Sequence, residues 1–587
     1  MHLPVIPESA PFTPEQRAYL NGFLAGLFSH VPVNGPASAP PASRPLSPLS
    51  VLFGSQTGTS EKLAKRVAKE AGKLGFAPTL HDLAQYPVER FSQEQNVLIV
   101  TSTYGDGEPP DNAKTFWDFL QSDTAPKLER LRYSILALGD SNYAQFCGFG
   151  KAVDSRLEGL GAKRVHPRQD CDVDYETPFQ QWLSQAVNAL AGSCTAPTPA
   201  NGPTADQQPE EPEDLYSRTH PYPARLVTNL RLSGPSSAKE VRHFEIALDD
   251  PKLTYEVGDA LGVVPTNCPA QVTALLQALG FDGEESVSGK EGKTVPLRFA
   301  LVHDYDITRI PQPLLVAMAS KTGDAVLKKL TSPDANGELT RFLWGREIID
   351  LLLEHSSAKF LPTEFIGLLK KLQPRLYSIS SSPKAHPGQV HLTVGIVRYE
   401  TLGRSRAGVC STFLAERVSA EARVPVFVHR NPAFRPPPPD RPLIMVGPGT
   451  GIAPFRAFLE ERRSIGATGS NWLFFGDQRA ASDYLYREEI EAFQKEGLLA
   501  RLDLAWSRDQ EQKVYVQHRM TEQSSTLFDW LEKGAAFCVC GDASRMAKDV
   551  DAALHEVIEK SGGKTSEQAL DYVKRLKAEK RYLRDVY

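Results

Sequence analysis

Glycines and hydroxyl side chains recur in this 587-residue chain where an apolar run gives way to a helical one, the setting that receives a phosphate. In MVGPGTGIAPFRAF (445–458), Gly447, Gly449 and Gly451 enclose Thr450 between a strand and a helix with Pro454 in its first turn. Glycine lets the backbone approach a pyrophosphate closely, so this turn points to a dinucleotide. In GSQTGTSEKLA (54–64), Ser55, Gln56, Thr57, Gly58, Thr59 and Ser60 supply hydroxyls, an amide and free N–H groups at a helix start. No lysine stands where an NTPase P-loop needs one, which argues against that chemistry.

Two further loops, STYGDGEPPDN (102–112) and LGDSNYAQFCGFGK (138–151), each carry one tyrosine, Tyr104 and Tyr143. Loops at the carboxyl ends of parallel strands converge on one crevice. One phosphate cradle and two rings there suit a planar, monophosphorylated ligand, FMN; a helix cap and packing tyrosines are the plainer readings of each loop alone. In RLYSISSSP (375–383), strand alternation sends Arg375 and Tyr377 one way and Ser378 the other, and arginine with tyrosine suits a pyrophosphate and a ring. In AWSRDQEQKVYVQHRM (505–520), Ser507, Arg508 and Lys513 precede Tyr515 and Gln517, which read as alternating on a following strand. A hydroxyl and two cations suit a 2′-phosphate, whereas an NAD site offers a carboxylate to the free ribose, so NADPH is expected over NADH.

These loops need scaffolds of two kinds. From 49 to 192, the runs LSVLFG, NVLIVTSTYG and YSILALG alternate with helices starting near Ser60, Asn112 and Phe149, the rhythm of a doubly wound parallel sheet. Residues 221–440 read as an antiparallel barrel with strands such as HFEIALDD, VHLTVGIV and RVPVFVH, interrupted at about 266–370 by a helical insert. From 441 to 587 the strand-then-helix rhythm returns. The expected fold class is multidomain α/β plus β-barrel. Residues 31–48 and 193–220 read as linkers rich in Pro, Ala, Ser or acidic side chains. Residues 1–30 contain an amphipathic helix with Leu20, Phe23, Leu24 and Leu27 on one stripe, which suits packing on another surface, on a second copy of the chain or back on its own chain.

With 41% hydrophobic and 23% charged residues and a net charge of -5, the chain has no global field for nucleic acid or an acidic membrane. Seven cysteines without a C-x-x-C pair argue against a structural metal site or a disulfide framework and fit a reducing cytoplasm. Neither a signal peptide nor a membrane-length apolar run is expected.

SQTGTSE, STYGDGEPPDN and LGDSNYAQFC together resemble the FMN loops of flavodoxin-like domains in NADPH-dependent diflavin reductases. The resemblance implies FMN contacts from Ser55, Gln56, Thr57, Gly58, Thr59, Ser60, Ser102, Thr103, Gly105, Gly107, Leu138, Gly139, Asp140, Phe146 and Cys147, with Tyr104 and Tyr143 flanking the isoalloxazine. Asp172 in DCDVDYE (170–176) would close the flavin side, and this run with Asp106, Glu108 and Asp111 would make an acidic docking face. RLYS is similar to the FAD signature of the ferredoxin-NADP reductase superfamily, which implies Arg375 on the pyrophosphate, Tyr377 on the ring and Ser378 near the reactive nitrogen, with Leu376 and Tyr399 alongside. GVCSTFLA (408–415) is similar to that superfamily's second pyrophosphate loop, implying Gly408, Val409, Cys410 and Ser411. The glycine turn resembles its NADP site, which adds Arg456 and Asp542.

By the same resemblance the terminal Tyr587 covers the FAD where nicotinamide enters, and Ser378, Cys540 and Asp585 surround hydride transfer. A free terminal ring would swing aside as a gate. The family implies that NADPH delivers hydride to FAD, FAD passes single electrons to FMN, and FMN reduces an external acceptor, the 193–214 linker letting the FMN domain shuttle. The tail GGKTSEQALDYVKRLKAEKRYLRDVY and the leader TPEQRAYLNGFLAG resemble those of the flavoprotein subunit of bacterial assimilatory NADPH sulfite reductase. That implies a separate haem and iron-sulfur subunit that reduces sulfite to sulfide, and a leader, residues 1–30, that serves assembly of the flavoprotein. The alternatives are a diflavin reductase serving nitrate or nitrite reduction or a cytochrome, and a flavin-binding carrier without NADPH turnover; the intact glycine turn, the two cations and Cys540 argue against the carrier.

Overall fold

Strands buried on both faces form the first sheet, as parallel sheets require: Ser47–Gly54 and Asn96–Ser102 are almost wholly buried along their lengths. The computed structural model describes residue 13 and residues 46–55, 58–104, 107–140, 145–172, 175–192, 215–332, 335–419 and 422–587. The expected N-terminal helix, the 193–214 stretch, and most of 31–48 lie outside the described residues, as do the candidates Gln56, Thr57, Gly105, Asp106 and Tyr143. The first strand starts at Ser47, two residues inside the stretch expected to be linker, because Ser47 and Pro48 already pair with Phe76 and Ala77.

The first sheet runs Phe76–Asp82, Ser47–Gly54, Asn96–Ser102, Arg132–Leu138 and Lys163–Arg164, all parallel, with Gln169–Cys171 pairing further along Arg132–Leu138. Chain order reverses beside Ser47–Gly54, and the switch opens the crevice at the carboxyl ends where the expected FMN loops sit.

Six antiparallel strands follow, ordered Arg375–Ser378, Ala260–Val263, Arg423–His429, Tyr222–Arg231, Glu240–Ala247 and Gln389–Ile396. A bridge between Ile379 and Leu392 joins the two ends into a barrel. The helical insert runs from Pro269–Leu279 to Pro362–Leu368 around its own apolar core, which includes Leu297, Leu314, Met318, Ile348 and Phe365.

The last sheet is parallel, ordered Leu499–Trp506, Asn471–Asp477, Leu443–Val446, Ala536–Gly541 and Tyr582–Val586. Its core continues into the barrel, since Val241, Val257 and Phe434 pack in one cluster with Met445, Phe455 and Phe458. No helix among the described residues is long and apolar enough to cross a membrane.

Candidate functional site

In the first crevice, Gly58 holds the left-handed turn (φ 91°) that starts the helix Thr59–Lys73, and its N–H donates to Ser55 Oγ at 2.9 Å. Ser55 N–H is in turn held by Asn112 Oδ1 at 2.8 Å. Asn112, which the sequence reading marked only as a helix start after the strand Asn96–Ser102, thus pins the phosphate loop; its amide also donates to Asp82. Two hydroxyls expected to face FMN, Ser60 Oγ and Ser102 Oγ, are buried without a hydrogen-bond partner among the described residues. Buried hydroxyls normally have one, so this cradle fits a bound phosphate and ring.

Thr103 Oγ1 accepts from Phe149 N–H, and Gly139 N–H donates to Cys171 O, fixing the second and third loops. Leu138 and Cys147 are buried, with Cys147 Sγ on Ala137 O, while Lys151 lies over the Phe146 ring. Asp140 stands two residues beyond the strand Arg132–Leu138, and Asp172 follows Gln169–Cys171 directly. Gly107 approaches Gln145 too closely for any side chain. The acidic run is less available than expected: Asp170 is paired by Arg168 and Lys151, and Glu176 by Arg66.

On the barrel, Tyr377 is held against Cys410, and burial raises its hydroxyl pKa well above the ordinary value. Arg375, half-buried, shares its face and donates to the carbonyls of Gln373 and Pro374, while Leu376 points away and is half exposed. Gly408 precedes the short helix Val409–Thr412, in which Ser411 Oγ accepts from Val397 N–H and Thr412 Oγ1 donates to Gly408 O. Tyr399 is exposed on a hairpin opposite Arg406. An arginine and a ring on one strand face, with a glycine-led turn packed against that ring through Cys410, fit FAD.

The glycine turn lies against the strand Ala536–Gly541, and a Cβ on Gly451 would come within 2.2 Å of Cys540 O. Only glycine permits that approach, and Gly447 is equally tight against Gly451 O. Ser507 is tied to Asp477 O, whereas Arg508 and Lys513 are exposed and make no ion pair among the described residues. Exposed cations in the loop that follows the strand Leu499–Trp506 fit a 2′-phosphate. Asp542 accepts from the N–H groups of Ser544, Arg545 and Met546 and the Ser544 hydroxyl, which set the next helix and lower its pKa.

Three expectations are corrected here. Tyr515 and Gln517 do not alternate on a strand: Tyr515 precedes the helix Val516–Glu522, whose Val516 and Met520, one turn apart, are buried on one face. Gln517 accordingly reaches Asp549 at 3.2 Å. Arg456 does not face the nucleotide turn, because its buried guanidinium bonds Glu489 at 2.7 Å, Glu460 at 2.9 Å and Ser380 O at 2.7 Å and lies over the Tyr486 ring. It fastens the last domain to the barrel. Third, the chain end is not free: the backbone of Tyr582–Val586 is a parallel strand on Ala536–Gly541, Tyr587 N–H donates to Gly541 O, and Tyr587 O accepts from Ala543. Only the ring, 53% exposed with its hydroxyl 3.0 Å from Thr450 Oγ1, is left to move.

The expected hydride-transfer residues do meet. Ser378 Oγ donates to Asp585 Oδ2 at 2.7 Å, Cys540 Sγ lies 3.9 Å from the same oxygen, and Asn431 Nδ2 approaches Oδ1 at 3.5 Å. Burial raises the Asp585 pKa, opposed by the Ser378 and Cys540 hydrogen bonds. Burial first, then the Asp585 charge, hold Cys540 as a thiol. Asn431 carries no sequence signal of its own: it reaches the site because its N–H is fixed by Asp259 at 2.9 Å.

The first α/β unit meets this strand from the other side. Arg584 pairs with Asp111, Lys577 with Asp111 at 3.7 Å and Lys548 with Glu108 at 2.8 Å.

Three family models match the chain: flavodoxin over residues 51–182, FAD binding domain over 215–413, and oxidoreductase NAD-binding domain over 445–552. The sulfite reductase (NADPH) flavoprotein alpha-component of Bacillus subtilis (strain 168) is 44% identical over 586 residues, covering 98% of this chain and 96% of the relative. That of Vibrio cholerae serotype O1 (strain ATCC 39315 / El Tor Inaba N16961) is 44% identical over 577 residues, 98% of this chain and 93% of the relative. That of Escherichia coli O157:H7 is 41% identical over 576 residues, 98% of this chain and 95% of the relative.

Proposed function

Since the chain belongs to the sulfite reductase (NADPH) flavoprotein alpha-component family, we propose that it passes electrons from NADPH through FAD and FMN to a separate haem and iron-sulfur subunit that reduces sulfite to sulfide. Bound nicotinamide and flavins supply the hydride and one-electron chemistry, and the protein binds, orients and shields them. The observation that carries the reading is the meeting of Ser378 from the barrel with Cys540 and Asp585 from the last sheet, next to the glycine turn and Tyr587.

In this reading, Gly447, Gly449 and Gly451 receive the pyrophosphate of NADPH, and Ser507, Arg508 and Lys513 receive its 2′-phosphate. Arg375 and the Gly408–Ser411 turn hold the FAD pyrophosphate, and Tyr377 packs on its ring. The Ser378 hydroxyl fixes the Asp585 carboxylate, while the Cys540 thiol keeps its proton because burial disfavours a thiolate. The Tyr587 ring closes the nicotinamide face by rotating about its side-chain torsions over an anchored backbone. In the first domain, Ser55, Ser60 and Ser102 bind the FMN phosphate side and Tyr104 one face of its ring.

The domains divide at 47–192, 221–440 and 441–587, and the N-terminal segment serves assembly. The six described cysteines, Cys147, Cys171, Cys268, Cys410, Cys538 and Cys540, are free, which supports a reducing cytoplasm.

Copurifying the native acceptor subunit and assaying NADPH-dependent reduction of sulfite and of nitrite tests the proposal. Sulfide production that requires both subunits supports it; nitrite reduction without sulfite reduction transfers the flavoprotein to the other acceptor.

A further inference from the structure

Tyr582–Val586 is the outermost strand of the last sheet, hydrogen-bonded on one side only to a neighbour among the described residues. Successive side chains on a strand point to opposite faces. Asp585 turns inward to Ser378 and Cys540, and Arg584 turns outward to the first α/β unit. There Arg584 grips Asp111 with two donors, Nε to Oδ2 at 3.1 Å and Nη2 to Oδ1. Its guanidinium also stands 5.5 Å from the centre of the Tyr104 ring, whose hydroxyl is buried towards the Val586 backbone. The Arg584 and Asp111 side chains are 16% and 24% exposed, against 56% and 48% for Lys548 and Glu108, so the forked pair is the one that solvent screens least. Lys577 shares Asp111, so loss of that carboxylate would leave two cations facing each other.

We propose that Arg584 is a positioning residue that makes docking of the first α/β unit and placement of Asp585 depend on each other. This rests on the reading of Asp585 as part of the nicotinamide-facing site. The strand has two states, pinned on both faces when the first unit is docked on Arg584, and held by its ladder and the Ser378 bond alone when it is not. Linkage then works in both directions: undocking loosens Asp585, and a fixed Asp585 favours docking. A reductase whose first unit has left for an acceptor would in this way accept electrons from a second NADPH more slowly until that unit returns.

The test uses flavin-loaded, full-length protein with Arg584→Gln, Asp111→Asn, and the exchanged pair Arg584→Asp with Asp111→Arg. Small-angle X-ray scattering without nucleotide reads docking, and the pH profile of NADPH-driven FAD reduction reads Asp585. Each single variant is expected to enlarge the radius of gyration, to move the acid limb of the profile and to slow FAD reduction on the order of tenfold, with the exchanged pair restoring size and profile together. Unchanged size in both single variants overturns the clamp, and larger size with an unchanged profile overturns the linkage. If Asp585→Asn left FAD reduction and its pH profile untouched while the single variants still expanded, the reading of Asp585 would fail and the clamp would stand.

Discussion

Ser378 and Asp585 are 207 residues apart and are joined by a 2.7 Å hydrogen bond that ties the barrel to the last strand of the chain. A hydrogen bond to a charged group contributes about 1.5–3 kcal/mol. Ser378→Ala is therefore expected to slow NADPH-driven FAD reduction by roughly 10- to 100-fold at unchanged FAD content. Rapid mixing with NADPH, followed by flavin absorbance, measures it; an unaltered rate would remove Ser378 from the site.

Asp585 sets the sign of the acid limb. Burial raises its pKa, so it takes up a proton at a pH above the ordinary carboxylate range, and the rate should fall as pH falls through that raised value. Ser378→Ala removes one cause that lowers the pKa and should move the limb to higher pH, whereas Asp585→Asn should abolish it. The same raised pKa makes ionised Asp585 unfavourable to folding as pH rises through it, so Asp585→Asn should not lower the melting temperature at neutral pH.

A second pH effect lies between the barrel and the last domain. Burial and the Arg456 guanidinium push the His391 pKa down to about 2. The unfolded chain takes a proton on this residue below about pH 6.5 and the folded chain does not, so its contribution to stability is full above that pH and is lost as pH falls. Unfolding free energies from urea titrations between about pH 6.5 and about pH 5 should drop less steeply in His391→Gln, by up to about 1.4 kcal/mol per pH unit. Equal slopes would show that the imidazole is protonated in the native state.

Arg508→Ala with Lys513→Ala should raise the KM for NADPH and leave that for NADH nearly unchanged. Two lost charge-assisted contacts of about 1.5–3 kcal/mol each would cut the NADPH preference by about 100-fold or more. Steady-state kinetics with both nucleotides decides it, and an unchanged ratio assigns the 2′-phosphate elsewhere.

Deleting Tyr587 removes the ring, its Thr450 contact, its N–H bond to Gly541 O and the carbonyl bonded by Ala543, but leaves the strand pairing through Val586 in place. Nicotinamide exchange and nucleotide discrimination should change while the melting temperature moves little. Unchanged kinetics with both nucleotides would refute a covering role for the ring.

Much of this was legible because the strand-to-helix loops carry their chemistry in consecutive residues, as in residues 445–458 and 102–112. The FAD signature residues Arg375 and Tyr377 were likewise read as sharing a strand face, and Tyr377 meets Cys410 of the second pyrophosphate turn. What escaped were side chains whose role depends on distant partners. Arg456 stands one turn beyond a nucleotide-binding motif, yet Glu489 and Ser380 O claim it, and neither lies near it in sequence. Asn431 and Arg584 have no local pattern; one is aimed by Asp259 and the other by Asp111. Residues 515–517 were misread because Tyr-Val-Gln alternates like a strand over three residues, too short a window to reveal the helical spacing of Val516 and Met520.

The most direct measurement of the central claim is an anaerobic absorbance titration of the purified chain, carrying FAD and FMN, with NADPH, followed by addition of the native acceptor subunit and sulfite. The account predicts that NADPH bleaches both flavins, that NADH does so far less effectively, and that the flavins reoxidise with formation of sulfide only when acceptor subunit and sulfite are both present. Flavins that stay oxidised under NADPH, or that bleach but are not reoxidised by the acceptor subunit with sulfite, would contradict it.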